Sequence, residues 1–425
     1  MAQEQRVGQA RAGANESPEG CGPIWLGSEV AAPVPLRQRA YEGIRSAGQI
    51  ARVDLARQLD VSPATVTALI SELLAEGLVE EVEGQARPGA RGRPPVALGV
   101  RGAAGYVIGL KLGEFQHSAV LADMAGHTVA SASLERDGPA RSLKVILEEA
   151  EALTRKVIAR AGVPEGQILG LAAGLPGLVD HPRGEVLWSS VLEGHQVPLA
   201  ALLTDSLGLP VWIDNDTNLL TLAELWFGRG RAARSFAVIS IEQGVGMGLA
   251  LDQQLYRGAH SVALELGHTK VQLDGALCRC GQRGCLEAYT SDYALVREAQ
   301  TALDLGSRHQ LSPHLVLESL HDQAKAGNEA ARTIFRRAGR YMAAGLANVV
   351  NLFDPSLVIL SGERMQYQYL YAEDVMREME RMIVGQGREA PRVEVNAWGD
   401  LGWARGAVAL GLTHAGAALA MRGAA

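Results

Sequence analysis

The stretch Glu265-Leu266-Gly267-His268, followed after a short insert by Cys278-Arg279-Cys280-Gly281-Gln282-Arg283-Gly284-Cys285-Leu286-Glu287, places one imidazole and three thiols within eighteen residues. Two glycines bend the backbone between the thiols, and the set supplies the four soft ligands that a tetrahedral Zn²⁺ takes. His268, Cys278, Cys280 and Cys285 are therefore expected to hold a structural zinc with no open position for activating water. The other reading is a group of buried or redox-active thiols beside a core histidine. The fourth cysteine, Cys21, stands apart in an N-terminal segment without fold signals, so a disulfide framework is not expected. Glu265 and Glu287 flank the ligands. Two carboxylates held by a metal-stapled loop suit a polyol, whose hydroxyls can donate to both.

A chain of 425 residues exceeds a single core and is expected to divide into two or three domains. With 47% hydrophobic and 20% charged residues it has the balance of a soluble globular protein, and no signal peptide or membrane-length apolar run is read, so the expected location is cytoplasmic. The net charge of −7 argues against general nucleic-acid binding, but it is unevenly spread. Between Leu36 and Arg101 nine arginines face eight acids, a net of +1 that leaves −8 for the rest, and Arg87 to Arg101 holds four arginines and no acid. A basic strip on an acidic protein points to a dedicated DNA-reading module.

Residues 1–34, rich in Gly, Ala, Glu and Pro, are read as a mobile tail. From Leu36 the periodicity predicts three short helices: Leu36, Ala40, Tyr41 and Ile44; then Val53, Leu55, Ala56 and Leu59; then a helix begun by Ser62-Pro63, a hydroxyl N-cap with proline at the first helical position. On the third, Val66, Leu69, Ile70, Leu73 and Leu74 face inward, while Ala64, Thr65, Thr67, Ala68 and Ser71 point outward, small enough and polar enough to approach base edges in a major groove. Gly77 ends the helix, and two strands, at 78–83 and 96–98, complete a winged helix-turn-helix over 35–101. Arg91 and Arg93, in the proline-stiffened Arg91-Gly-Arg-Pro-Pro95, are the candidates for a minor groove. A solvated linker and a plain three-helix domain are the competing readings of these two features.

From Gly102 the pattern is α/β, with strands at 106–112, 117–122 and 127–134, a helix at 143–161, a buried strand ending in Gly174-Leu-Pro-Gly177, and Asp214-Asn215-Asp216 closing a further strand before a helix. A strand pair flanks the Gly244-Val-Gly-Met-Gly248 turn, and the last third is helical around a strand at 357–360.

These landmarks together, from about Leu36 onward, resemble the ROK family of sugar-responsive repressors and sugar kinases. The resemblance implies an α/β, two-lobed body of the actin, hexokinase and Hsp70 kind behind the N-terminal winged helix-turn-helix. Lobes are expected at 102–214 and 215–425, with the last helix a candidate to return to the first. It also implies that Asn215, Asp216, Glu265, His268 and Glu287 line a sugar pocket, with Asp216 in the position of the kinases' base. Where family kinases carry Asp-x-Gly-Gly-Thr at the ATP-phosphate turn, this chain has Lys111-Leu-Gly-Glu-Phe115. Glu242-Gln243 before the second glycine turn, and Leu360-Ser-Gly-Glu363 near the adenosine region, depart as well. A lost metal-binding acid and an added carboxylate disfavour phosphoryl transfer. The expected protein is then no enzyme but a repressor of carbohydrate-use genes that senses a sugar in a degenerate kinase cleft, with operator DNA and a monosaccharide as partners. It is expected to act as a homodimer or tetramer for two-fold operator reading. An active ATP-dependent sugar kinase, and a DNA-binding module controlled by a protein partner, are the alternatives.

Overall fold

The computed structural model describes residues 20–24, 34–83, 96–136, 141–303, 312–362, 373–385, 387, 389–396 and 398–421. The first domain comprises helices α1 (Leu36–Ala47), α2 (Arg52–Leu59) and α3 (Pro63–Ala75) and the antiparallel strands β1 (Val79–Glu83) and β2 (Val96–Val100). The Ser62 side chain accepts from the Thr65 N–H at 3.1 Å, so α3 starts as its sequence requires. It stops at Gly77, whose φ of +68° suits glycine, where the Gly77 and Leu78 N–H groups close back on the Leu74 and Leu73 carbonyls in a Schellman turn. Val53, read as part of the second helix's apolar face, is 62% exposed; Leu55, Ala56 and Leu59 alone turn that helix inward. Arg91 and Arg93 lie outside the described residues.

Two five-stranded sheets of one topology form the body. In the first, β3 (Tyr106–Leu112), β4 (Gln116–Asp123) and β5 (Thr128–Glu135) run antiparallel, and β6 (Ile168–Leu175) and β9 (Val211–Asn215) join β3 in parallel, giving the order β5-β4-β3-β6-β9. The helix α4 (Leu143–Ala161) crosses between them, and a small ribbon, β7 (Gly177–Asp180) with β8 (Glu185–Ser189), precedes α5 (Leu199–Leu207). After α6 (Asp216–Phe227) the plan repeats: β10 (Phe236–Ile241), β11 (Val245–Leu251) and β12 (Gln254–Tyr256) antiparallel, then β13 (Leu357–Ser361) and β14 (Arg392–Asn396) parallel, ordered β12-β11-β10-β13-β14. Helices α8 (Asp292–Ala302), α9 (Pro313–Lys325), α10 (Glu329–Phe353) and α11 (Glu373–Met382) cover the second sheet, and the short α7 (Glu287–Thr290) packs against Cys278 and Cys285. The final helix, α12 (Gly402–Met421), lies against β3, β6 and α6.

That helix approaches its neighbours at backbone distance. A Cβ on Gly406 would stand 1.8 Å from the Leu219 carbonyl oxygen of α6, and one on Gly109 of β3 would stand 2.0 Å from the Ala404 carbonyl of α12. α12 also receives the N-terminal domain: Arg37 of α1, itself buried, donates to the Ala420 carbonyl at 2.8 Å, and Arg45 donates to the Leu412 carbonyl at 3.2 Å. One apolar core therefore runs without a break from Tyr41, Ile44 and Leu73 through α12 to Trp226 and Phe236. Among the described residues no helix is long and apolar enough to cross a membrane.

The N-terminal segment departs from expectation at one place. Residues 20–24, read as part of a mobile tail, are packed in the structure, and Cys21 is 5% exposed. Short glycine-flanked segments without periodicity hide such docking, because backbone groups rather than side chains carry it.

Gly406→Ala is expected to cost about 1–3 kcal/mol, the usual penalty of overpacking a tight interior. Urea unfolding of the variant against the parent measures it, and an unchanged midpoint would contradict the close crossing of α6 and α12.

Candidate functional site

Four potential metal ligands, one each from His268, Cys278, Cys280 and Cys285, come together so that all ligand atoms lie within 4.8 Å of one another. His268 turns Nδ1 toward Cys278 Sγ at 3.6 Å, and Cys280 and Cys285 sulfurs are 3.7 Å apart. A tetrahedral ion with bonds of about 2.3 Å to sulfur separates its ligands by about 3.8 Å, so the donors fit a closed tetrahedral centre for a soft or borderline cation. The loop reaches this shape through Gly281 and Gly284, at φ +83° and +77°; a Cβ on Gly284 would stand 1.7 Å from the Gln272 carbonyl oxygen. Outside the ligands, the Tyr293 hydroxyl lies 3.5 Å from Cys278 Sγ and 3.4 Å from Glu287 Oε1, and Lys270 Nζ lies 3.0 Å from Cys285 Sγ. Such outer groups orient the ligands and offset thiolate charge.

The cluster sets the carboxylates beside it. Glu287 is buried and receives the Val245 N–H at 3.3 Å, while Glu265 places its carboxylate 4.0 Å from His268 Nε2, the nitrogen pointing away from the sulfurs. About half of the Glu265 side chain reaches solvent, at 49% exposure, yet desolvation still pushes its carboxyl above the usual range, with Asp216 and Glu287 acting the same way and His268 against. Asp216, distant in sequence, and Glu287 are thus both near enough for their charge to be felt at Glu265. Asp216 sits at the first position of α6 and accepts from the Thr217 N–H at 2.8 Å. Burial raises its carboxyl, and the ammonium of Lys111 opposes that rise. Asn215 caps the same helix: its Oδ1 accepts from the Thr217 and Asn218 N–H groups, and its Nδ2 donates to the Gly177 carbonyl at 2.9 Å. Both ends of the Asn215 amide are therefore spent on architecture.

Asp214, one residue earlier, did not stand out in the sequence as more than part of an acidic run. It is fully buried, and four groups donate to it: Asn215 N–H and Asn218 Nδ2 at 2.8 Å each, and Arg257 Nε and Nη2 at 2.8 and 2.7 Å. Arg257, beyond β12 on the second sheet, thereby ties its loop to the corner that carries Asp216. A charged pair at this depth holds its geometry because leaving either partner alone is costly.

The turn at 111–115 is closed on itself. The Gly113 N–H donates to Nδ1 of His117 at 3.1 Å, Arg136 Nη1 donates to the Gly113 carbonyl at 2.8 Å, and the Arg136 N–H donates to the Phe115 carbonyl at 2.8 Å. Lys111 lays its ammonium 3.6 Å from the centre of the Trp403 ring at the start of α12. The second glycine run also has a packing explanation: Cβ atoms on Gly246 and Gly248 would stand 2.2 and 1.9 Å from the Thr217 and Thr221 hydroxyls of α6. At Gly244 a Cβ would meet Glu287 Oε2 at 2.9 Å.

On α3, Ala64, Thr65, Thr67, Ala68 and Ser71 are exposed, with Thr67 and Ser71 hydroxyls donating to the Pro63 and Thr67 carbonyls at 2.8 Å each, which leaves their lone pairs outward.

His117 yields a pH prediction. Its Nδ1 accepts from Gly113, so its proton resides on Nε2, which faces Glu149 at 3.1 Å. Burial, with Arg136, lowers its pKa to about 3 from an ordinary 6.5. The unfolded chain then takes the proton first, so the stabilisation is complete above pH 6.5 and is lost as pH falls from there toward 3. Unfolding titrations between pH 7 and 4.5 should lose about 2 kcal/mol more in the parent than in His117→Gln. Equal slopes would remove His117 from this role.

The geometry agrees with comparisons to known proteins. Residues 107–414 match the ROK family. The chain is 30% identical over 378 residues to a putative xylose repressor of Caldicellulosiruptor sp. (strain Rt8B.4), covering 85% of this chain and 91% of that one. It is 30% identical over 326 residues to the DNA-binding transcriptional repressor Mlc of Escherichia coli (strain K12), covering 75% and 79% respectively. A crystal structure of a ROK family transcriptional regulator, described as a homolog of the E. coli MLC protein, has the same fold, with a TM-score of 0.76 at 24% identity over 91% of this chain and 97% of that chain. With winged-helix module, duplicated sheets and match all spanning one polypeptide, the chain belongs to the ROK family.

Proposed function

We propose that this protein is a DNA-binding transcriptional repressor of carbohydrate-use genes, acting in the cytoplasm, whose kinase-like cleft senses a sugar without phosphorylating it. The observation that carries the reading is the state of the 111–115 turn. The Gly113 N–H that would approach a phosphate is already donated to His117, while Asp216, beside Lys111 of the same turn, and Glu287 both act electrostatically on Glu265. Phosphoryl transfer depends on positioned donors and metal neutralisation of charge, and a lysine stacked on Trp403 supplies no metal ligand. Carboxylates and an imidazole on a rigid loop, by contrast, are what a ring of hydroxyls satisfies.

In this reading the ligands His268, Cys278, Cys280 and Cys285 hold a structural Zn²⁺ that braces Glu265 and Glu287, with His268 binding the metal through Nδ1 and offering Nε2 to the sugar. Asn215 supports the site from the helix cap. Ala64, Thr65, Thr67, Ala68 and Ser71 read the operator, and Arg91 and Arg93 reach a minor groove. A homodimer presents two such modules, and closure of the lobes around the sugar alters their spacing. The sugar must bind one lobe arrangement more tightly than the other for this to work. The name of the Caldicellulosiruptor relative makes xylose the first candidate, ahead of hexoses and N-acetyl hexosamines.

Mobility shifts on the protein's own promoter region, with each sugar in turn, test the proposal. A complex that one sugar weakens tenfold or more is expected, and no complex at moderate salt across the panel would reject it. In a coupled ADP-release assay with the same sugars and ATP, no turnover above background is expected; ordinary kinase rates would establish the enzyme instead. Cys285→Ser is expected to lower the zinc content from one equivalent to near zero and to weaken sugar-induced thermal stabilisation. Full stabilisation in metal-free protein would remove zinc from the sensing loop.

A further inference from the structure

The docked segment 20–24 lies where three parts of the protein meet. Its Cys21 N–H donates to the Arg45 carbonyl at the end of α1, and Cys21 Sγ donates to the Ala125 carbonyl between β4 and β5 of the first lobe, at 3.1 and 3.2 Å. The Gly22 N–H donates to the Trp226 carbonyl of α6 at 3.1 Å, and the Ile24 N–H to Gln253 Oε1 at the β11–β12 turn at 2.7 Å. Glycine is required at the contact: Gly20 has φ +152°, and a Cβ there would stand 2.4 Å from both the Gly48 nitrogen and the Ser46 carbonyl oxygen.

One side chain organises the junction. Arg231, 8% exposed and just ahead of β10, donates through Nη1 to the Gly20 carbonyl at 2.7 Å, through Nε to the Gly22 carbonyl at 3.2 Å, and through Nη2 to the Ser46 carbonyl of α1 at 2.7 Å. Gln253 Nε2 in turn donates to the Arg231 and Ala233 carbonyls at 2.7 and 3.2 Å. A planar guanidinium with donors in a fixed fork can serve three carbonyls at once, which an ammonium cannot.

The winged-helix domain thus has two separate attachments. Arg37 and Arg45 fasten α1 to α12, which lies on the first sheet, whereas Arg231 and the 20–24 segment fasten the end of the same α1 to the entrance of the second sheet. If the sheets move relative to each other, two anchors on one twelve-residue helix cannot both stay put without α1 turning. We infer that Arg231 is a positioning residue for the DNA-binding domain, acting through the strap 20–24 to convert relative movement of the two lobes into a rotation of α1 and of the α3 it carries. The inference takes α3 as the DNA-reading element, and so rests on the proposed function.

The test needs neither DNA nor sugar, so it fails or succeeds separately from the repressor reading. In the full-length, zinc-loaded chain with Cys21→Ser, nitroxides are placed at Ser71→Cys on α3 and Thr333→Cys on α10, both exposed, and the distance distribution is recorded. The starting protein should give one narrow distribution. Arg231→Gln, Arg231→Lys and Gly20→Ala should each broaden it at least twofold, the lysine variant failing to rescue despite its charge, while zinc content stays at one equivalent. In parallel, with Cys21 restored and no nitroxides, iodoacetamide alkylation of this buried thiol should accelerate at least tenfold in the same variants. Narrow, unshifted distances in Gly20→Ala, which leaves every body residue intact, or Cys21 protection unchanged in all three variants, would overturn the inference.

Discussion

The structure depends on a backbone-to-backbone crossing. α12 and α6 meet with no side chain between them at Gly406 and Leu219, and α12 meets β3 the same way at Gly109. Each contact removes the slack that side-chain packing leaves, so the two helices and the first sheet behave as one block. That block carries Asp216 at the front of α6, and through α12 it carries Arg37 and Arg45 of the winged-helix domain. A change felt at the cleft has a short, stiff route to α1.

α6 is also pinned at both ends by buried carboxylates. Asp214, just before it, is satisfied by Arg257, Asn218 and the Asn215 N–H. Glu224, near its far end, accepts from Asn396 Nδ2 and Trp398 Nε1 at 2.6 Å each and from the Arg229 N–H at 2.9 Å. Burial raises the Glu224 carboxyl, and these donors oppose the rise. Both carboxylates draw partners from beyond α6, including Arg257 and Asn396 of the second sheet's surroundings. The helix is therefore a shared axle rather than a member of one lobe, which is why a boundary drawn at residue 214 or 215 separates groups that are bonded to each other.

Much of the fold was legible because its signals are local. The Ser62-Pro63 start, Gly77 stop, α4 periodicity and the strand ending at Asp214-Asn215-Asp216 each announce themselves within a few residues. The His268 and Cys278–Cys285 cluster was legible for the same reason, since ligand type and glycine spacing are written in one short stretch. What escaped was long-range or backbone-borne. Nothing near Arg257 says that it meets Asp214, and nothing in Gly20-Cys-Gly22 says that its carbonyls meet Arg231. The glycines at 246 and 248, read from the sequence only as part of a turn, lie opposite the Thr217 and Thr221 hydroxyls of α6, a long-range contact that explains the absence of a side chain there.

Glycines that serve packing must stay whatever the ligand, so their survival is silent about nucleotide. The residues free to diverge are those with a single duty, and Lys111, Glu114 and Phe115 occupy such positions at the mouth of β3. Phe115 is 52% exposed and packs into no part of the described core. Asn215, Glu287 and His268 are bound into shared structure instead: Asn215 caps α6, Glu287 receives the Val245 N–H and the Tyr293 hydroxyl, and His268 stands in the cluster with the three cysteines. Removing the Asn215 or Glu287 side chain would leave backbone donors unpaired, at about 1–3 kcal/mol each. Architecture alone is then enough to hold Asn215 and Glu287 in place.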